Sequence, residues 1–207
     1  MPNPLLSLLA GRRGHFQMES GYHSEHWFDL DALFEQRSRL QPFANELAER
    51  LAVHRLDAVC GPMTGGAELA AMIATSLGCE CFHADRIEPP GATGLFPVKY
   101  RVPTAQRERL RGKSVAIVDD AISAGSAVKG THADLLACGA RPVACGALFV
   151  FGDSGARLAA ENNLPLEAIV RMPFGLWKPD DCPHCQAGVP FERVSDAPTK
   201  KPTTPCA

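Results

Sequence analysis

The sequence has no run of basic residues and no clustering of basic with aromatic side chains. Lys and Arg number 21 against 23 Asp and Glu, a net charge of −2. A nucleic-acid partner would call for a basic face, so none is expected. Long hydrophobic runs are missing too. The apolar stretch Leu5-Leu6-Ser7-Leu8-Leu9-Ala10 is far too short to span a bilayer. Arg12 and Arg13 follow it rather than precede it, so it does not read as a signal peptide. There is no internal repeat. These absences point to a cytoplasmic protein with neither nucleic acid nor membrane as partner. Cysteine is not scarce, with eight residues. Without a secretory signal, and with Cys60 and Cys145 inside apolar runs, they read as reduced thiols. A chain of 207 residues suits one α/β domain with modest additions.

Two common phosphate signatures are also absent: no Lys-Ser or Lys-Thr Walker loop and no triplet of spaced glycines. What stands instead is Val115 to Ala127, VAIVDDAISAGSA. Val115 to Val118 suits a buried strand, and Asp119 and Asp120 follow it. A loop of small residues leads to a helical pattern from Val128 to Gly139. A strand, a small-residue loop and a helix N-terminus form an anion site, because the first helical N–H groups lack partners. Gly125 lets the backbone approach closely, and Ser123 and Ser126 offer hydroxyls. Two carboxylates beside such a cradle repel an anion unless they bind hydroxyls or a cation. A phosphorylated ribose supplies both the phosphate and the hydroxyls.

This stretch resembles the 13-residue phosphoribosyl pyrophosphate (PRPP) motif of type I phosphoribosyltransferases. The resemblance implies an α/β fold, a central parallel sheet flanked by helices, with an N-terminal arm and a C-terminal extension. It implies transfer of a 5-phosphoribosyl group from PRPP to a nucleobase, with Mg2+ accompanying PRPP. Asp119 and Asp120 would hold the ribose hydroxyls, stabilise charge on the ribose ring and stand as candidate Mg2+ ligands. Ala121, Ser123, Ala124, Gly125, Ser126 and Ala127 would cradle the 5′-phosphate. No covalent nucleophile is required.

A second strand–glycine loop–helix unit precedes the motif. Asp57 to Cys60 reads as a strand, Gly61-Pro62-Met63-Thr64-Gly65-Gly66 as its loop, and Ala67 to Leu77 as a helix stopped by Gly78. In the resembled family the equivalent loop binds pyrophosphate, and Arg86, at the end of the strand from Cys79 to Ala84, falls where that family has an Arg. Residues 88–97, EPPGATGLFP, cannot be regular structure. Lys99-Tyr100-Arg101-Val102 then resumes a strand-like alternation. Orotate phosphoribosyltransferases use a loop here to close over PRPP, which makes Lys99 and Arg101 the candidate catalytic cations. Their usual Lys-x-x-Lys-x-His-Gly loop is absent.

The N-terminal part strengthens the likeness to orotate phosphoribosyltransferases, whose arm has the form GHF-x-L-x-SG-x-HS. Gly14-His15-Phe16, Ser20-Gly21 and His23-Ser24 match it. The base would then meet His23 and Phe28 from the arm, Ser123 from the motif loop, and Asp153 and Arg157 beyond the strand Val143–Phe151. Those enzymes typically carry Asp-Arg-Ser/Gly-Gly there, the Arg pairing with the orotate carboxylate. Here Asp153 takes the place of that Arg, and a carboxylate would repel orotate. Arg157 lies one turn further on. Orotate stays the first choice on the strength of the arm and tail. A phosphoribosyltransferase for another base, in salvage, is the alternative. A non-catalytic PRPP-sensing regulator is the third reading, opposed by the acidic pair and the basic strand.

Toward the C-terminus, Cys182 and Cys185 have the spacing of half a zinc site. The missing ligands would have to come from His184, Cys206 or a second subunit, so a turn packing on the body is preferred. The Cys-Pro-x-Cys-x-x-Gly-Val-Pro string also occurs in some bacterial orotate phosphoribosyltransferases. The expected organisation is a single domain over 1–195: an arm over the base site (1–40), a core (41–175) and a C-terminal turn (176–195). Residues 196–207 read as a disordered tail. Helices are expected over 4–11, 41–53 and 156–163, and a last strand over 166–172. A homodimer is expected, because in the resembled family the closing loop reaches the neighbour's site and because Trp27, Phe28, Leu30, Leu33 and Phe34 form an aromatic-rich patch.

Overall fold

The computed structural model describes residues 3–194. The tail expected over 196–207, and Cys206 among the candidate metal ligands, lie outside the described residues. The chain opens with a short 3-10 turn, Pro4–Leu8, then β1 (Ala10–Gln17) and β2 (His23–Asp29). Helices α1 (Asp31–Glu35) and α2 (Arg37–Ala52) follow. Next come β3 (Ala58–Pro62), α3 (Gly65–Leu77), β4 (Glu80–Ile87), β5 (Lys99–Arg101) and α4 (Thr104–Leu110). The motif contributes β6 (Ser114–Ile122) and α5 (Ser126–Ala137), followed by β7 (Arg141–Phe151), α6 (Ser154–Glu161) and β8 (Leu166–Met172). Last are β9 (Leu176–Trp177), a 3-10 turn Pro179–Asp181, α7 (Pro183–Gln186) and β10 (Glu192–Arg193).

Six strands form the central sheet in the order β5-β4-β3-β6-β7-β8. All neighbours are parallel except β5, which runs antiparallel to β4 at the edge. The period-2 alternation of β6 shows how the core divides. Ala116 and Val118 face one layer, with Leu47 and Leu51 of α2 and Leu69 and Ile73 of α3. Val115 and Ile117 face the other, with Phe82, Leu110, Val128 and Leu135. Strands buried on both faces read as continuous apolar runs, which is why β6 and β7 stand out in the sequence.

Several boundaries differ from expectation. The helix expected over 4–11 is only a single 3-10 turn, capped by the Asn3 side chain accepting from the Leu5 N–H, because β1 already begins at Ala10. Helix α2 starts one turn early, at Arg37, so that Leu40 joins the core. Strand β6 runs on to Ile122, which puts both Asp residues within its end rather than after it. The short helix α4 was not foreseen.

The arm and the C-terminal turn, expected as separate segments, share one sheet in the order β10-β1-β2-β9. His23 pairs with Trp177 across β2 and β9, and Phe16 with Glu192 across β1 and β10. Most of the aromatic patch turns inward, with Phe28, Leu30 and Phe34 packing on the core, whereas half-buried Trp27 lies under the Arg12 guanidinium at 4.8 Å. Leu33 is buried, and Phe28 stacks on Phe151 at 5.1 Å between centroids. Cys60 and Cys145 are buried free thiols as expected, whereas Cys81 is disulfide-bonded.

Candidate active site

Strands β3 and β6 lie side by side and parallel, Cys60 opposite Ile117, so their two loops leave the sheet together. In the first loop the Met63–Thr64 peptide bond is cis, and α3 begins at Gly65. A Cβ on Gly65 would sit 1.9 Å from Asp120 Oδ2, and one on Gly66 would sit 2.8 Å from Asp119 Oδ1. The two carboxylates therefore rest against the first turn of α3, and only glycine leaves them room. That turn carries the positive end of the helix dipole, a favourable place for negative charge.

Asp119 Oδ1 accepts from the Asp120 N–H at 3.1 Å, and Asp120 Oδ1 accepts from the Ala121 N–H at 2.7 Å. The pair is 7 % and 9 % exposed. Burial, joined at Asp119 by the neighbouring Asp120 charge, pushes both carboxyls above the ordinary carboxylate range. Such groups gain from any ligand that brings hydroxyl donors or positive charge.

The motif loop ends at Gly125, which has φ +80° and caps α5 with no side-chain hydrogen bond. The first N–H groups of this 12-residue helix are thus free of side-chain caps, with the half-buried Ser123 and Ser126 beside them. Ala121, expected in the phosphate cradle, gives its N–H to Asp120 instead. It acts by orienting the carboxylate.

Arg86 lies at the end of β4 under the arm tip. Its Nε donates to Glu19 at 2.7 Å, and it also pairs with Glu88. Tyr100 donates its hydroxyl to the same Glu19 at 2.6 Å. Burial and the Glu19 charge push the Tyr100 phenol upward, so it stays a donor. Lys99 and Arg101 are exposed and alternate with buried Tyr100 on β5. No contact among the described residues links either of them to the acidic pair. The 88–98 loop packs on the arm: the Phe96 N–H donates to the Ser20 carbonyl at 2.9 Å, and the Lys129 ammonium lies 5.0 Å from the Phe96 ring. Between loop and arm tip is a cleft of about 450 Å³, bordered by Glu19, Arg86, Glu88 and Thr93. Glu19 and Lys129 carry no sequence signal of their own, since neither belongs to a recognisable spacing.

A second cleft, of about 590 Å³, opens beyond β7 and is bordered by Asp153, Arg157, Arg171 and Phe174. Asp153 and Arg157 are both exposed, and Arg157 donates to Ser154 Oγ at 3.2 Å. Arg171, missed in the sequence because β8 reads as an ordinary strand, adds a second guanidinium. Phe28 joins this wall through Phe151 and Phe174. His23 does not join it. It is 2 % exposed, with Nδ1 2.9 Å from His15 Nε2 and 3.2 Å from Cys185 Sγ, so its assignment to the base is corrected. The ligands expected from His184 or a second subunit are likewise replaced. His15 and His23 are the groups that converge on Cys182 and Cys185.

A phosphoribosyl transferase domain model matches residues 43–169. The chain belongs to the phosphoribosyltransferase family. This phosphoribosyltransferase is 29% identical over 180 residues to the orotate phosphoribosyltransferase of Thermotoga maritima, covering 87% of this chain and 89% of the relative. It is 27% identical over 181 residues to that of Caldanaerobacter subterraneus subsp. tengcongensis, covering 86% and 87%. In fold it is similar to the orotate phosphoribosyltransferase of Aeropyrum pernix, with TM-score 0.60, 24% identity and coverage of 80% and 89%. The adenine phosphoribosyltransferase of Trypanosoma brucei, solved with AMP, pyrophosphate and ribose-5-phosphate, gives 0.65 at 16% identity, covering 82% of this chain and 80% of that one.

Proposed function

We infer that this phosphoribosyltransferase transfers the 5-phosphoribosyl group of PRPP to orotate, forming orotidine 5′-phosphate and pyrophosphate in pyrimidine biosynthesis. One observation carries the reading: two buried carboxylates lodge against the first turn of α3, and the strand that bears them runs straight into the glycine loop that opens α5. PRPP has a phosphate at one end, a pyrophosphate at the other and vicinal hydroxyls between, in the matching order. Asp119 and Asp120 accept hydrogen bonds from those hydroxyls and, near the ribose ring, stabilise positive charge as pyrophosphate leaves. The α5 and α3 N-termini hold the two anionic ends. Two adjacent carboxylates are also the oxygen donors a hard cation takes, so Asp119 and Asp120 would hold Mg2+, which would offset pyrophosphate charge when bound.

Orotate is supported by the names of the relatives and by two guanidiniums, Arg157 and Arg171, beside the Phe28–Phe151–Phe174 wall. A different base is favoured by Asp153, whose carboxylate borders the same cleft. Rates of pyrophosphate release from PRPP with orotate, uracil, adenine and hypoxanthine separate the two. Orotate alone should support turnover, and Arg157→Ala should raise its KM about tenfold or more, as for a charge-assisted contact of ~1.5–3 kcal/mol. Turnover with a purine and none with orotate would assign the other base. PRPP binding without turnover on any base would leave a PRPP sensor.

A homodimer in the cytoplasm is also proposed. With most of the aromatic patch packed inward, its main support is the family resemblance of the closing loop. Sedimentation velocity at micromolar concentration should give twice the chain mass. A monomer throughout would contradict it.

A further inference from the structure

We propose that His15, His23, Cys182 and Cys185 form a closed structural zinc site that fastens the N-terminal arm to the C-terminal turn. The four ligand atoms, His15 Nε2, His23 Nδ1 and the two Sγ atoms, come from segments more than 150 residues apart in sequence, by |i−j| of 162 to 170 for the contacting pairs. They all lie within 4.8 Å of one another. The nitrogens are 2.9 Å apart, and the nitrogen–sulfur contacts are 3.4, 3.7 and 3.2 Å. Tetrahedral zinc, with Zn–N of about 2.0–2.1 Å and Zn–S of about 2.3 Å, spaces its ligand atoms roughly 3.3–3.8 Å apart. The four contacts fall within about half an ångström of that spacing, and drawing in the widest separation, up to 4.8 Å, takes a shift of about an ångström.

The surroundings are those of a ligand set. His15 Nδ1 lies 2.8 Å from the Val189 carbonyl, which can only accept, so Nδ1 carries the proton and Nε2 turns its lone pair inward. The Phe191 ring lies 5.7 Å from His15 and 4.8 Å from His23, and His184 stacks on His15 at 5.2 Å. Cys182 is fully buried and His15 nearly so. Four protein donors leave no open position, as in structural rather than catalytic zinc sites. Two thiolates with two imidazoles select zinc over magnesium. On binding, the two thiols release their protons to solvent, and the thiolates neutralise the ion's charge.

The fold gives the clip a purpose. Strands β9 and β10 pair over two residues each, too few to hold a sheet by backbone bonds alone. The cluster sits between them and ties β1 and β2 to the turn carrying α7. This assignment is independent of which base the enzyme accepts.

The test uses the full chain, purified in reductant and without an affinity histidine tag. Elemental analysis should find one zinc per chain. After chelator stripping, the thermal midpoint should fall and be restored by zinc but not by magnesium. Cobalt titration of the stripped protein should give intense tetrahedral d–d bands with thiolate-to-cobalt charge transfer. Cys185→Ser, at a half-buried position, should weaken that charge-transfer band. No retained metal, together with no tetrahedral cobalt spectrum in the reduced wild-type protein, would overturn the assignment. That spectrum needs no variant to fold.

Discussion

Asp119→Asn and Asp120→Asn should each lower kcat/KM by roughly ten- to a hundredfold, the weight of one charge-assisted contact of ~1.5–3 kcal/mol. The same variants should be more stable than the wild-type protein at neutral pH. Both carboxyls are raised in the folded protein, first by burial, so between the unfolded and folded pKa values the folded state binds more protons than the unfolded state. Stability then falls as pH rises through that window, which begins near an Asp's usual value of about 3.9. Asparagine never ionises and avoids the loss. The thermal midpoint of each variant relative to wild type should therefore rise as pH increases from about 4 to 7. Activity unchanged in both variants would remove the proposed ribose site. Lower stability at neutral pH would contradict the electrostatic account.

Glycine substitutions at the junction of β3 and α3 should also act strongly, and in two different ways. A Cβ on Gly61 would meet the Gly66 carbonyl oxygen at 1.9 Å, a backbone atom with no rotamer to escape into. Gly61→Ala should cost about 1–3 kcal/mol or more of stability, as overpacking does, read as a lower thermal midpoint. On Gly65 the Cβ would meet Asp120 Oδ2, the end of a side chain that can swing away. Gly65→Ala should thus spare more stability but displace the carboxylate, with kcat/KM falling at least as far as in Asp120→Asn. Two variants with wild-type melting and wild-type turnover would show that the loops do not abut as described.

Much of this was legible in the sequence, for a physical reason. A strand buried on both faces must be apolar throughout, and a phosphate loop must be small and glycine-bearing, so β6, its loop and the β3–α3 unit declare themselves locally. What stayed hidden was long-range. Whether Ala121 lends its N–H to a phosphate or to Asp120 depends on a rotamer. Arg171 comes to the Asp153 cleft only through the pairing of β7 with β8. His15 and His23 match the family's arm pattern, which implies a place at the base for His23, yet both converge on Cys182 and Cys185. Half a ligand set was visible as Cys-x-x-Cys, and the other half lay at the opposite end of the chain. The N-terminal 3-10 turn shows the reverse, a helical apolar spacing overridden by tertiary pairing.

The central claim is that one PRPP molecule lies across the two loops with its ribose on the acidic pair. A crystal structure of the protein with PRPP and Mg2+ tests it most directly. The account predicts the 5′-phosphate on the backbone N–H groups of residues 123–127, the ribose hydroxyls on Asp119 and Asp120, and the pyrophosphate at residues 63–66. PRPP bound elsewhere, such as in the cleft between the arm tip and residues 88–97 with the acidic pair untouched, would contradict it.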